Sequence, residues 1–309
     1  MFSGPKLSRR HALLAGAAAP LVALSARPAV AKADMMGMAT PGFSRFKHGD
    51  FEVTTLLAGT RPVPDPHTIF GLNADDAAFA ETSAAAHLPT DVAQFFFTPT
   101  LINTGAELIL FDTGLAPEGI TAALQGAGYS ADQVDTVVLT HMHGDHIGGM
   151  AGDGGATFAN ARYVTGQVEY DHWAAAGNEG FDTKVRPFAE KFTFLDDGGS
   201  VAPGITAIAA FGHTPGHMGY MVESGGKGLV LIADTANHYV WSLARPDWEV
   251  KFDMDKAMAA ETRRRVLGMI AADRLPFIGY HMPFPATGFI DADGDGFRYV
   301  PSSYQLMLG

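Results

Sequence analysis

The chain has 309 residues, 47% of them hydrophobic and 17% charged, with 33 acidic against 21 basic side chains and a formal charge of −12. That apolar fraction excludes intrinsic disorder, and the acidic excess argues against a nucleic-acid partner, which is bound by clustered Lys and Arg. There is no cysteine; disulfides, thiolate-held metals and a thiol nucleophile are excluded, so any metal has to be held by His and carboxylates.

Residues 1–31 read as an export address. Lys6, Arg9 and Arg10 precede a modestly apolar run over 12–26, and Ala29-Val30-Ala31 supplies a small-residue cleavage site. Ser8-Arg9-Arg10 with Leu13-Leu14 resembles a twin-arginine signal, so a periplasmic or secreted location is expected. The run is too short and Ala-rich to span a bilayer, which takes about 20 apolar residues. No second such run follows, so no stable membrane anchor is expected. Residues 32–309 are expected to form a single domain.

Within that domain, residues 51–57 mix β-branched and apolar side chains as a half-buried strand does. Residues 62–89, rich in Pro and Ala, read as a surface loop with helix that could cover a site. Residues 95–103 and 107–111 read as a hairpin turning at Thr104-Gly105. Residues 117–126 predict a helix with Pro in its first turn. The apolar runs at 134–140 and 228–233 suit buried strands. Helices are expected over 167–176 and 182–191. The clearest helix covers 255–272, where Met258, Thr262, Val266 and Ile270 recur at i+4 and Arg263-Arg264-Arg265 reads as a solvated face. Asp291 to Gly296 begins like a calcium loop, but the twelfth position is Ser302 rather than Glu, so a hairpin turn is expected. Strands first, then strand–helix alternation, then a late helix and closing strands imply a layered α/β domain.

The chemistry concentrates in Thr140-His141-Met142-His143-Gly144-Asp145-His146, directly after an expected strand. His141 and His143, at i and i+2 on a strand end, point to one side and can share a metal. Gly144 is expected to permit a tight turn that swings Asp145 and His146 towards a second site. Three later fragments also set a donor after a strand: Gly212-His213-Thr214-Pro215-Gly216-His217, Ala233-Asp234 and Tyr280-His281. All could line one sheet edge.

In this order the fragments resemble the metallo-β-lactamase-fold superfamily, whose signature is H-x-H-x-D-H followed by a later His, Asp and His. The resemblance implies an αββα sandwich of two mixed β-sheets flanked by helices, with metals at one edge. It assigns His141, His143 and His217 to one metal, Asp145, His146 and His281 to the other, and Asp234 to the carboxylate between them. It gives Asp112, in Asp112-Thr113-Gly114, a supporting role, and His213 a position that is not a ligand.

Gly49 to Thr54, His281 to Pro285 and Phe297 to Pro301 are similar to the methyl parathion hydrolase branch of that family. This implies small neutral ester, lactone or phosphotriester substrates and a homodimer. Trp173 aligns with an aromatic wall of the pocket. Thr235 to Tyr239 stands where an apolar segment is expected in phosphotriesterases, which favours esters and lactones and places Asn237 near the substrate.

The expected cofactors are two divalent ions, zinc first, with Mn, Fe or Co as alternatives. Two such ions sharing a water yield a hydroxide nucleophile, which Asp145 and Asp234 orient, with His238 and Tyr239 as candidate proton donors to the leaving group. Three alternatives stand beside this reading. A dedicated organophosphate hydrolase is one. A β-lactamase, which generally lacks the bridging carboxylate, is another. A single-iron sulfur dioxygenase, which uses fewer ligands, is the third.

Overall fold

Alternation along the strands produces two-faced sheets. Leu101, Leu108, Leu110 and Val137 point to one side of the first sheet, and Ile102, Ile109, Phe111 and Val138 to the other, as a side-chain period of two requires. The computed structural model describes residues 34, 36 and 39–308; the expected export address at 1–31 lies outside the described residues.

The first sheet has seven strands in sequence order: Phe43–His48, Phe51–Leu56, Thr100–Asn103, Leu108–Phe111, Thr136–Val138, Arg162–Gly166 and Phe192–Leu195. Pairing is antiparallel as far as Leu108–Phe111 and parallel beyond it. The second sheet repeats the plan with Ser200–Ala202, Ile205–Ala209, Met218–Ser224, Lys227–Ala233, Phe277–Gly279, Thr287–Asp293 and Gly296–Pro301. Only the Lys227–Ala233 and Phe277–Gly279 pair is parallel there. The inner faces meet through Val53, Ile102, Phe111 and Val138 on one side and Ile205, Tyr220, Val222 and Leu229 on the other. Each such buried side chain contributes roughly 1.5–3 kcal/mol.

Helices cover the outer faces. Pro117–Gly126 buries Ile120 and Leu124 on the first sheet. Lys256–Asp273 starts at Asp255, whose Oδ1 accepts from the Met258 N–H at 3.0 Å, and buries Val266, Leu267 and Ile270 against the second. The result is the expected αββα sandwich. Among the described residues no helix is long and apolar enough to cross a membrane.

Several local expectations change. Met258 is exposed, whereas Arg263 is wholly buried, so the solvated arginine face contains only Arg264 and Arg265. The expected hairpin over 95–111 is divided: Val92–Phe97 pairs with Gly59–Pro64, and only Thr100–Asn103 pairs with Leu108–Phe111. Pro99, which has no N–H for a ladder, separates the two. The expected helix over 182–191 is an α-helix, Glu179–Lys184, followed by a 3-10 turn, Arg186–Lys191, that Pro187 helps to begin. The Pro/Ala-rich stretch begins inside the strand Gly59–Pro64 and supplies the helix Asp76–Ala85, packed on a third cluster with Phe70, Phe79, Phe95 and Trp241. Thr287–Asp293 and Gly296–Pro301 close the expected hairpin at Gly294.

Candidate metal centre

Four strand ends deliver the polar groups to one edge of the sandwich. After Thr136–Val138 the chain runs through His141 and His143 into the short helix Gly144–Ile147. His141 Nε2 stands 3.1 Å from His143 Nδ1, and the first helical turn brings Asp145 Oδ2 to 3.6 Å from His146 Nε2. Gly144 is not in a glycine-only conformation here, and a Cβ built on it meets nothing within 4 Å. The helix, rather than a glycine turn, aims Asp145 and His146.

The next loop exchanges the expected places of His213 and His217. His213 Nε2 lies 3.0 Å from His143 Nδ1 and 3.3 Å from Asp234 Oδ2. Both ring nitrogens of His217 are already engaged. Nδ1 donates to the Ala210 carbonyl at 3.0 Å, and Nε2 accepts from the Asp234 N–H at 3.1 Å. His217 therefore has no lone pair left for a cation, and it braces the backbone of Asp234 instead. His213 is the imidazole that joins His141 and His143.

Asp234 sits between two groups of nitrogens. Its Oδ1 is 3.3 Å from His146 Nε2, and its Oδ2 is 3.2 Å from His281 Nε2 and 3.9 Å from His141 Nε2. His281 Nε2 also reaches Asp145 Oδ2 at 3.3 Å. Three donor triplets have mutual distances within 4.8 Å: His141, His143 and His213; His141, His146 and Asp234; Asp145, His146 and His281. His146 Nε2 and Asp234 Oδ1 are buried without hydrogen-bond partners among the described residues. Imidazole nitrogens aimed at one another, with orphaned buried acceptors beside carboxylates, fit divalent cations; hydrogen bonding alone leaves the set unsatisfied.

Burial and the carboxylates divide the imidazoles into two classes. Burial, reinforced by the neighbouring His213, pushes His143 down to about 3, and His141 also falls well below the ordinary value. Burial opposes charge on His213 as well, but Asp234 and Asp253 outweigh it and raise the ring to about 9. Asp234 and Asp145 likewise overcome burial at His281 and raise it to about 10. His146 goes up for the same reason. Burial would raise Asp145, yet His146 and His281 hold it down, at about 2.

A buried frame fixes these donors. Asp112 accepts from the Thr140 N–H and hydroxyl, each at 2.8 Å, and its Oδ2 holds His146 Nδ1 at 2.8 Å, so Asp112 has its expected supporting place. His281 Nδ1 donates to the Phe96 carbonyl at 2.9 Å. Sequence reasoning missed three members of the frame. Asp253 Oδ1 holds His213 Nδ1 at 2.8 Å, while its Oδ2 takes Arg263 Nη2 at 2.7 Å. Glu169 is wholly buried and ties two loops together. Its Oε1 accepts from the Met142 N–H, and its Oε2 from the Thr214 hydroxyl and the Gly216 N–H. A Cβ on Gly216 would stand 2.1 Å from Glu169 N, so only glycine permits this approach.

A pocket of about 330 Å³ opens onto His143, Asp145, Asp234 and His281. Arg61, Val63, Ile69, Phe95, Phe97, Leu115, Gly144 and Phe252 complete its lining, so the hairpin of Gly59–Pro64 and Val92–Phe97 forms a wall of the site, and of the Pro/Ala-rich stretch only Val63 and Ile69 reach it. The residues expected at the substrate stand elsewhere. Trp173 lies behind His143, ring centres 5.9 Å apart, and donates its indole N–H to Glu169. Asn237 donates to Asp234 Oδ2 at 2.9 Å and orients that carboxylate. His238 and Tyr239 border a separate cavity behind the strand Val92–Phe97. His238 does not line the catalytic pocket, and burial pushes its ring down to about 3.

An N-acyl homoserine lactonase of Bacillus cereus is 26% identical over 119 residues, which is 38% of this chain and 45% of the relative. One from Bacillus sp. is 24% identical over 150 residues, 48% and 57% of the two chains. The chain thus spans about half the length of the curated relatives it matches. Among solved structures, AidC, a dizinc quorum-quenching lactonase in complex with a product, superposes with a TM-score of 0.78 at 25% identity, covering 85% of this chain and 98% of that one. The hydrolase AbOPH of the beta-lactamase superfamily gives 0.79 at 26% identity, covering 87% and 100%. The family match itself covers residues 98–277, the stretch that holds His141, His143, Asp145, His146, His213 and Asp234, and the chain belongs to the metallo-beta-lactamase superfamily.

Proposed function

We propose that the chain is a dinuclear metal-dependent hydrolase of small neutral esters and lactones, with N-acyl homoserine lactones as first candidates. The observation that carries this reading is Asp234, with one carboxylate oxygen against His146 and the other against His213 and His281. On this reading His141, His143 and His213 would hold one ion, Asp145, His146 and His281 the other, and Asp234 lies within reach of both groups. Bound divalent ions, zinc first, would bring the pKa of a water towards neutrality and polarise the scissile carbonyl.

The protein's own groups do the rest. Asp253, Asp112 and the Phe96 carbonyl hold the outer nitrogens of His213, His146 and His281, leaving each Nε2 to face inwards. Asp145 is the more accessible of the two site carboxylates, 22% against 4% exposed, and would accept a hydrogen bond from the attacking water. Phe95, Phe97, Val63, Ile69 and Leu115 take up an acyl or aryl group and exclude bulk water from the reacting bond. The dizinc lactonase structure and the lactonase relatives support zinc and a lactone substrate.

Metal content per chain, measured beside hydrolysis of N-hexanoyl homoserine lactone, an aryl lactone and methyl paraoxon, tests the proposal. Two zinc or manganese ions with fast lactone cleavage, abolished by Asp234→Ala, support it. A single bound iron with no hydrolysis overturns it.

A further inference from the structure

The strand Val92–Phe97 has a cavity on each side. Phe95 and Phe97 face the catalytic pocket, whereas Gln94 and Phe96 line a second cavity of about 390 Å³. The His281 ring borders both. We propose that the second cavity binds a small neutral amphiphile, an alkyl or aryl body carrying one hydrogen-bond acceptor that is taken by the Nε2–H of His238.

His238 is 6% exposed and borders the cavity. Trp241 stacks on its ring at 3.9 Å, and Phe70 stands 5.3 Å away. Its Nδ1 accepts from the backbone N–H groups of Val240 and Trp241, each at 3.2 Å. That engagement places the ring proton of the neutral imidazole on Nε2. Among the described residues Nε2 has no hydrogen-bond partner, so its proton is free for whatever occupies the cavity that the ring borders. Burial keeps the ring uncharged.

The remaining surface decides the ligand class. Leu88, Pro89, Val92, Ala93, Phe96, Trp241 and Pro283 present carbon, Gln94 adds a neutral amide and Tyr239 a neutral phenol. No Lys, Arg, Asp or Glu lines the cavity, and both nitrogens of His281 are turned to other partners, Nδ1 to the Phe96 carbonyl and Nε2 to Asp234, so an ion would be desolvated with little compensation. The volume falls within the range of small-molecule sites, roughly 300–1,000 Å³.

Binding of the neutral fluorophore N-phenyl-1-naphthylamine to the metal-loaded full chain tests this assignment. Saturable fluorescence enhancement is expected. Val92→Trp, at an exposed position on the cavity rim, weakens it at least tenfold, and Leu115→Trp, beside the catalytic pocket, leaves it unchanged. 2-Octanone displaces the fluorophore from the wild-type chain. In His238→Phe its apparent affinity falls about fivefold, the share of one hydrogen bond. Should His238→Phe fail to fold, the Val92 and Leu115 variants decide. No saturable binding, or binding lost in Leu115→Trp and kept in Val92→Trp, overturns the assignment.

Discussion

Asp253 Oδ1 lies 2.8 Å from Nδ1 of His213, and both side chains are buried. The same carboxylate is neutralised from behind by Arg263, which also donates to the Thr235 and Pro246 carbonyls. Carboxylate, imidazole and guanidinium therefore form one rigid line from the helix Lys256–Asp273 to the donor cluster. Asp253→Asn keeps the shape and removes the charge that would make His213 a strong ligand. Zinc affinity by chelator competition should fall about 10–100-fold with the fold retained. Arg263→Met should act on stability, costing about 3–5 kcal/mol in denaturant unfolding, because it strips the guanidinium from a buried carboxylate and leaves only the His213 ring against it.

The exchange of His213 and His217 gives a sharper test. His213→Ala should lower bound zinc from two ions to one per chain and abolish lactone hydrolysis. His217→Gln should retain both ions, since the amide oxygen can accept from the Asp234 N–H and the amide nitrogen can donate to the Ala210 carbonyl. The opposite pattern in metal analysis would return His217 to the ligand set.

Much of this was legible in the sequence because it is local. The apolar runs at 134–140 and 228–233 mark the strands Thr136–Val138 and Lys227–Ala233, and the donors of His141 to His146 lie within one strand end and one helical turn. His213 and His217 are different. They flank Thr-Pro-Gly as equals in sequence, and the fold separates them only through partners far along the chain, Asp253 for one and the Asp234 amide for the other. Arg263 and Glu169 were illegible for the same reason. A charge on a helix reads as solvated until its tertiary partner is known. The pocket aromatics Phe95 and Phe97 were placed in the wrong hairpin because Pro99 redirects the strand to Gly59–Pro64.

Glu169 links the His141–His143 loop to the His213–His217 loop, so its loss should be felt in both folding and metal binding. Glu169→Gln turns an amide NH₂ towards groups that themselves donate, either the Met142 amide and the Trp173 indole or the Thr214 hydroxyl and the Gly216 amide. A cost of about 2–4 kcal/mol is expected in urea unfolding, from at least one buried donor left without an acceptor and the loss of charge-assisted bonds. Zinc affinity should weaken with it. An unchanged midpoint would mean that the two loops hold their places without this link.

The metal-stripped protein should have a pH optimum of stability that the loaded protein lacks. His213 and His281 have native values of about 9 and about 10 against 6.5 for the free group. A native value raised in this way stabilises fully below pH 6.5, and the contribution is lost as pH climbs through 9 to 10. His143 and His217 lie at about 3, so the unfolded chain takes up protons below pH 6.5 that the native protein refuses, and stability falls on the acid side as well. For His213 alone the alkaline loss is on the order of 3 kcal/mol. Bound metal displaces those protons and compensates Asp234 and Asp145 in their place, which removes the alkaline limb. Thermal melts of stripped and zinc-loaded protein across this range should diverge above pH 7 and be furthest apart near pH 9.5. Equal melting temperatures for the stripped protein at pH 6.5 and pH 9.5 would show that the site is not held together by protonated imidazoles when its metals are gone.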